Sequence, residues 1–178
     1  MNNIKAKNFI FIFGSYVAFS VLLAGPLFAA QYSHTYKFQK PKIKHLPNGL
    51  QIVEMEGAWQ KDAVPGDPIL PVKTANLFVQ KNEEVLSISI DRSPLKTIEG
   101  YYKIQHATRP YPLSHKGPVS MNMPDPSVYT RDSDYPRKAH IIKGAQYLCG
   151  ARIEKVDLMP VVYNPVQGQV RYCSSHSI

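Results

Sequence analysis

The chain has 178 residues, a formal charge of +8, 44% hydrophobic residues, 15 prolines and 2 cysteines. This length accommodates one domain with one core. The basic residues are scattered without an aromatic-interleaved motif, which excludes a nucleic-acid reader, and the Cys and His spacing matches no metal-ligand pattern, so neither metal nor cofactor is expected.

Residues 1–30 read as a signal peptide. Lys5 and Lys7 precede an apolar stretch from Phe9 to Leu23, then come Gly25-Pro26 and the small pair Ala29-Ala30. The apolar stretch is shorter than the roughly 20 residues needed to span a bilayer, so a mature domain over 31–178 is expected. It would be secreted, periplasmic or on the cell surface, and touch a membrane only through the signal peptide during export. Removing Lys5 and Lys7 leaves the mature part modestly basic.

Strands are predicted over 35–45 and 50–56, joined by the turn Pro47-Asn48-Gly49. Next comes Gly66-Asp67-Pro68-Ile69-Leu70-Pro71-Val72, where two prolines spaced by two aliphatics fix extended geometry and place Asp67–Pro71 along a sheet edge. A strand over 74–80 and a polar turn Gln80-Lys81-Asn82-Glu83 follow. A strand over 84–91 then alternates Leu86, Ile88 and Ile90 with Ser87 and Ser89, and another is predicted over 99–107.

The pattern breaks at 108–138, which holds six prolines and the basic residues Arg109, Lys116, Arg131, Arg137 and Lys138. A connection this long in a small domain is a surface crossover or a functional loop. Beyond it, strands are predicted over 138–148, 151–163 and 169–174, with Gly144 and Gly150 marking bulges or corners and Pro160 to Gly168 setting two extended runs about a turn. No segment carries a 3.6-residue apolar stripe. The fold class is therefore all-β, an antiparallel β-sandwich with a long proline-rich loop, preceded by the signal peptide. Leu86, Ile88, Ile90, Tyr102, Ile104, Ile141, Val156, Leu158 and Val170 fall on core faces, and Trp59 reads as core or rim packing.

Cys149 and Cys173 leave two alternatives open, one disulfide closing a loop of about 25 residues or two free thiols. A cysteine nucleophile needs a nearby histidine, and His140 or His176 could pair with either thiol. Both cysteines sit in strand-like apolar runs, which favours structural roles, and no catalytic residue is assigned.

Gly66-x-Pro68-x-Leu70-Pro71, followed roughly a hundred residues later by Tyr163-Asn164-Pro165-x-x-Gly168 at the boundary of a late hairpin, resembles the propeptide of gingipain-type, caspase-like cysteine peptidases. The likeness covers about residues 57–178 and is strongest at 66–90 and 156–172. It implies a non-enzymatic domain that keeps a cognate caspase-like peptidase latent by laying an exposed loop across its cleft, with a basic side chain in the specificity pocket. Lys116, followed by Gly117-Pro118, is the first candidate for that anchor. Arg109 is second, its bond to Pro110 being a poor substrate, and Arg131 is third.

In such precursors a peptidase domain follows the propeptide. Here the sequence reaches Ser174-Ser175-His176-Ser177-Ile178 within what is expected to be the last strand, so the domain reads as C-terminally incomplete. Two other readings stand beside this one. An extracellular binding or adhesion module requires Trp59, Tyr101, Tyr102 and Tyr111 to share one open face, and a nonfunctional truncated precursor requires a bare sheet edge at the last strand.

Overall fold

A computed structural model describes residues 31–60, 63–80, 83–117 and 123–178; the expected signal peptide and the turn residues Lys81 and Asn82 lie outside the described residues. The first strands are β1 (Thr35–Lys37), β2 (Lys42–His45) and β3 (Gln51–Glu54). β2 and β3 form a hairpin on the expected Pro47-Asn48-Gly49 turn, where Gly49 takes φ +77° and the Leu50 N–H donates to Asn48 Oδ1 at 3.1 Å. β4 (Trp59–Gln60) is an edge rung against β5 (Pro71–Val79), which inherits its extended start from the proline pair.

The short strands β6 (Asp91–Arg92) and β7 (Lys96–Ile98) precede the crossover, whose single helical turn is α1 (Pro126–Tyr129). After it come β8 (His140–Leu148), β9 (Ala151–Leu158), β10 (Val161–Asn164), β11 (Gln169–Tyr172) and β12 (Ser175–Ser177).

The strands assemble as β4-β5-β9-β8, β10-β11-β7, β1-β12-β6 and the β2-β3 hairpin, and each of these strand pairs is antiparallel. One core lies among them. Val53, Val156, Leu158, Val161 and Val170 are wholly buried in it, each stabilising the fold by about 1.5–3 kcal/mol. Gly144 marks a register shift in β8, and Cys149-Gly150 makes the two-residue β8–β9 turn with φ of +49° and +79°, so the bulge and corner expected at these glycines are both present.

Several sequence expectations change: the strands expected over 35–45 and 151–163 are each split in two, interrupted at 38–41 and at Met159-Pro160. No strand forms over 83–90: the chain runs beside the core without a backbone ladder, half-burying Ile88 and Ile90 and leaving Leu86 exposed. Over 99–107 only Ile104 and His106 make bridges, because the segment divides its hydrogen bonds between Gln51 and the 67–69 strap and completes a ladder with neither. Asp67–Pro71 is extended as expected, yet it lies under the crossover rather than on a bare edge, with Pro68 and Pro71 fully buried. Trp59 and Ile141 face solvent, since β4 and β8 are the outer strands of their sheet.

β12 is the middle strand of its sheet, paired to β1 on one side and β6 on the other, so it leaves no bare sheet edge. One step further on, the His34 N–H donates to Ile178 O at 2.9 Å and the Ile178 N–H to His34 O at 3.0 Å.

Leu158→Ala is expected to cost about 2–5 kcal/mol of unfolding free energy, by lost transfer energy and an unfilled cavity. Leu86→Ala, on an exposed site, should change it by less than about 0.5 kcal/mol. Urea titrations of both variants check this, and comparable losses would contradict the core described here.

Candidate functional site

The crossover divides into an exposed half and a docked half, and Gly66 makes the division. Its N–H donates to Ala107 O at 2.8 Å, and its own carbonyl accepts from the Asp125 N–H at 3.0 Å. One residue therefore ties together Ala107 and Asp125, the two feet of the segment 108–124. Gly66 takes φ +98°, and a Cβ there would lie 3.2 Å from both Asp125 N and Met123 O, so the position requires glycine.

Beyond the second foot the chain is fastened down. Asp125 caps α1, accepting from the Ser127 N–H at 2.8 Å, and the Tyr129 hydroxyl donates to Ile104 O at 3.0 Å. The Tyr135 hydroxyl donates to Asp67 Oδ2 at 2.9 Å, while its backbone exchanges two 2.8 Å bonds with Tyr163. From the other side, Asn164 Nδ2 and Gln167 Nε2 each donate to Asp132 Oδ1 at 2.8 Å, and Arg171 pairs with Asp134. Burial raises the phenol pKa values of Tyr129, Tyr135 and Tyr163, and for Tyr135 the bond to Asp67 adds to it, so these hydroxyls stay protonated and available as donors.

Both sequence motifs thus grip one segment. Gly66-Asp67 holds Ala107, Asp125 and Tyr135; Tyr163-Asn164 holds Tyr135 and Asp132. Gly168 closes the motif's turn at φ +59°, beneath the Tyr101 ring, where a Cβ would come within 2.4 Å.

The segment between the feet holds two of the crossover's five basic residues: Arg109 and Lys116 both face solvent, and no carboxylate occurs between Thr108 and Pro124. The His115 N–H donates to Pro112 O at 2.9 Å, closing a turn over Pro112–His115, and the His115 ring lies against Tyr111 with centroids 4.9 Å apart. The His115 ring packs beside Gly117, where a Cβ would sit 3.2 Å from Cε1 and Nε2. At the tip Leu113 is fully exposed, an apolar contact point that the sequence reading passed over. Pro118 lies outside the described residues. Arg131 is separate from the loop: it is exposed, but sits in the turns after α1, with its N–H on Val128 O and its carbonyl accepting from Ser133.

The two cysteines are both free in this structure. Cys149 is exposed at the β8–β9 turn, whereas Cys173 is wholly buried in the core. Cys173 Sγ lies 3.5 Å from His176 Nε2, the pairing considered from sequence. Its electrostatics are opposite to those of an activated dyad. Burial raises the thiol pKa; burial, then Arg92 and His140, lowers that of His176 to about 4, so both groups are neutral. The ring also meets Phe38 edge-on, and its buried Nδ1 has no hydrogen-bond partner.

The aromatic residues expected of a binding module come from separate elements and differ in burial. Trp59 is on β4, Tyr101 covers the β10–β11 turn at Gly168, Tyr102 is half-buried against the core, and Tyr111 is in the loop.

No protein-family model matches the sequence, and no curated protein matches it. Two solved structures from Porphyromonas gingivalis are similar. One is the complex of RgpB pro- and mature domains, with TM-score 0.64 and 19% identity over 85% of this chain and 78% of the other. The second concerns zymogenic latency of gingipain K, with TM-score 0.57 and 15% identity over 82% of this chain and 84% of the other. At these identities the likeness is one of fold, and the fold is the gingipain-prodomain fold that the sequence resemblance named.

Gly66→Ala is expected to lower stability by about 1–3 kcal/mol through backbone strain. It should also raise the rate of trypsin cleavage after Lys116 several-fold, and an unchanged rate would mean that the loop's feet do not depend on Gly66. A second expectation concerns acid. The unfolded chain protonates His176 near 6.5 and the folded chain near 4, so stability complete above pH 6.5 falls as pH drops toward 4, by up to about 3 kcal/mol. In His176→Leu this loss should be absent from melts compared at pH 7 and pH 4.5; an identical pH dependence in both proteins would refute the assignment.

Proposed function

We propose that this chain is the prodomain of a gingipain-type cysteine endopeptidase, exported by the leader at residues 1–30, and that it holds the peptidase domain latent and assists its folding. The observation that carries the proposal is the loop itself. On a fold shared with gingipain prodomain structures, Gly66 pins both feet of an exposed, acid-free loop bearing Arg109 and Lys116.

The mechanism follows from that arrangement. An extended stretch of the loop pairs by main-chain hydrogen bonds with an exposed strand of the peptidase cleft, and one ammonium or guanidinium group reaches a carboxylate on the pocket floor. Closing the feet beforehand removes loop-closure entropy from the docking step, and the prolines remove more. Lys116 is the anchor. The His115 ring against Gly117 shapes the backbone next to it, and Leu113 supplies an apolar contact a few residues away. Arg109 stands close to the first foot, where its bond to Pro110 resists hydrolysis.

In an inhibition assay against RgpB and gingipain K, the full chain is expected to slow at least one peptidase at micromolar concentration. Lys116→Ala should weaken that inhibition about tenfold to a hundredfold, as expected for losing a hydrogen bond to a charged group, and Arg131→Ala should weaken it little. No slowing of either enzyme would remove the proposal, and equal potency of the two variants would remove Lys116 as the anchor.

A further inference from the structure

The sheet β1-β12-β6 is joined to the rest of the sandwich at an identifiable place. The Cys173 N–H donates to Pro160 O at 2.9 Å, which keeps Cys173 with the core strands. From Ser174 onward the chain is held by its own small sheet, with three paired positions to β1 and two to β6. The Ser93 hydroxyl adds to that hold, accepting from the Ser174 and Ser175 N–H groups at 3.0 Å each. Short strands that carry both ends of the described chain can part without breaking the longer β5-β9-β8 ladder.

His176 sits in the middle strand of that sheet, wholly buried, with Nε2 3.5 Å from Cys173 Sγ and no partner for Nδ1. Tyr36 on β1 and Arg92 on β6 are its neighbours in register, Phe38 meets the ring edge-on, and His140 at the start of β8 acts on it by charge. Burial keeps the Tyr36 phenol and the Cys173 thiol neutral, so the charges that bear on the ring are cationic. Asp91 pairs with Ser177, one position along, and therefore lies on the other face of the strand.

None of the groups facing His176 is a carboxylate. A proton gained there adds an N–H with no acceptor and a positive charge opposed to that of Arg92, and opening the sheet to water relieves both.

We propose that β1-β12-β6 is an acid-operated latch: protonation of His176 parts β12 from β1 and β6 and bares the Cys173 thiol, while β4-β5-β9-β8 and β10-β11-β7 stay closed. The latch uses no part of the segment 108–124, so it stands or falls separately from the inhibitory reading.

The chain carries its own reference thiol, since Cys149 is exposed at the β8–β9 turn. A pyridyl disulfide labels thiols in acid as well as at neutral pH. Peptide mapping of the labelled full chain gives a Cys173-to-Cys149 ratio from which the pH dependence of the reagent cancels. An imidazole that titrates near 6.5 when open and near 4 when closed raises this ratio about thirtyfold between pH 7.5 and pH 5. His176→Leu should flatten the rise, and Arg92→Gln, at an exposed site, should reduce it about twofold. Amide exchange over the same interval, referred to each amide's intrinsic rate, separates the latch from global unfolding. Protection is expected to fall at Phe38, Ser93 and Ile178, whose N–H groups bond within or beside the small sheet, and to persist at Val156 and Leu158. An unchanged ratio, an equal rise in His176→Leu, or parallel loss of protection at Val156 and Leu158 would each overturn the proposal. If His176→Leu does not fold, Arg92→Gln decides in its place, and a rise equal to that of the unaltered chain refutes the latch.

Discussion

The pair of backbone hydrogen bonds at Gly66 is the constraint on which the rest of this molecule turns. A glycine held at φ +98° receives one foot of the loop on its N–H and the other on its carbonyl. It converts a long proline-rich connection into two parts with different mechanical character. Each bond contributes only about 0.5–1.5 kcal/mol to stability, so their importance is geometric rather than energetic. They fix where the proline-rich connection leaves the sheet and where it returns; Asp67 then holds the returning part against the strap, and Asp132 and Asp134 hold it against the hairpin of β10 and β11.

The buried polar groups divide into two kinds. Those around Tyr129, Tyr135 and Tyr163 are satisfied, and they join three distant parts of the chain with donors that burial keeps protonated. Such fully bonded networks specify one packing arrangement. The Cys173–His176 pair is of the other kind, since Nδ1 of the imidazole is orphaned and Arg92 stands opposite it in the register of β12 and β6. It marks the sheet carrying both ends of the described chain as the part of the sandwich most exposed to acid.

What the sequence disclosed and what it concealed follow from the range of the forces involved. Proline acts on its own φ and its predecessor, so the extended course of Asp67–Pro71 was legible; its burial was not, because that depends on a crossover arriving from residues 123–136. Leu86, Ile88 and Ile90 alternate as a strand would, yet alternation reports only a half-buried extended chain and is silent on whether a neighbour supplies hydrogen bonds. The turn glycines at 49, 150 and 168 were readable for the same local reason. The Asn164–Asp132 and Tyr135–Asp67 contacts left no trace, since each joins residues dozens of positions apart. The neighbouring glycine and prolines already rank Lys116 and Arg109 ahead of Arg131 in sequence, but that Arg131 lies outside the segment pinned by Gly66 is visible only once the feet at Ala107 and Asp125 are located.

The reciprocal bonds between His34 and Ile178 have a topological consequence. Because the first and last strands among the described residues lie together in one sheet, residues 34–178 trace nearly a closed ring whose seam is the β1–β12 ladder and this pair of hydrogen bonds. A short bridge across that seam, with fresh termini opened at the tip near Leu113, would give a circular permutant in which every strand keeps its neighbours. Any polypeptide continuing beyond position 178 sets out from beside position 34, so a following domain can be tethered here without unravelling the sandwich that precedes it.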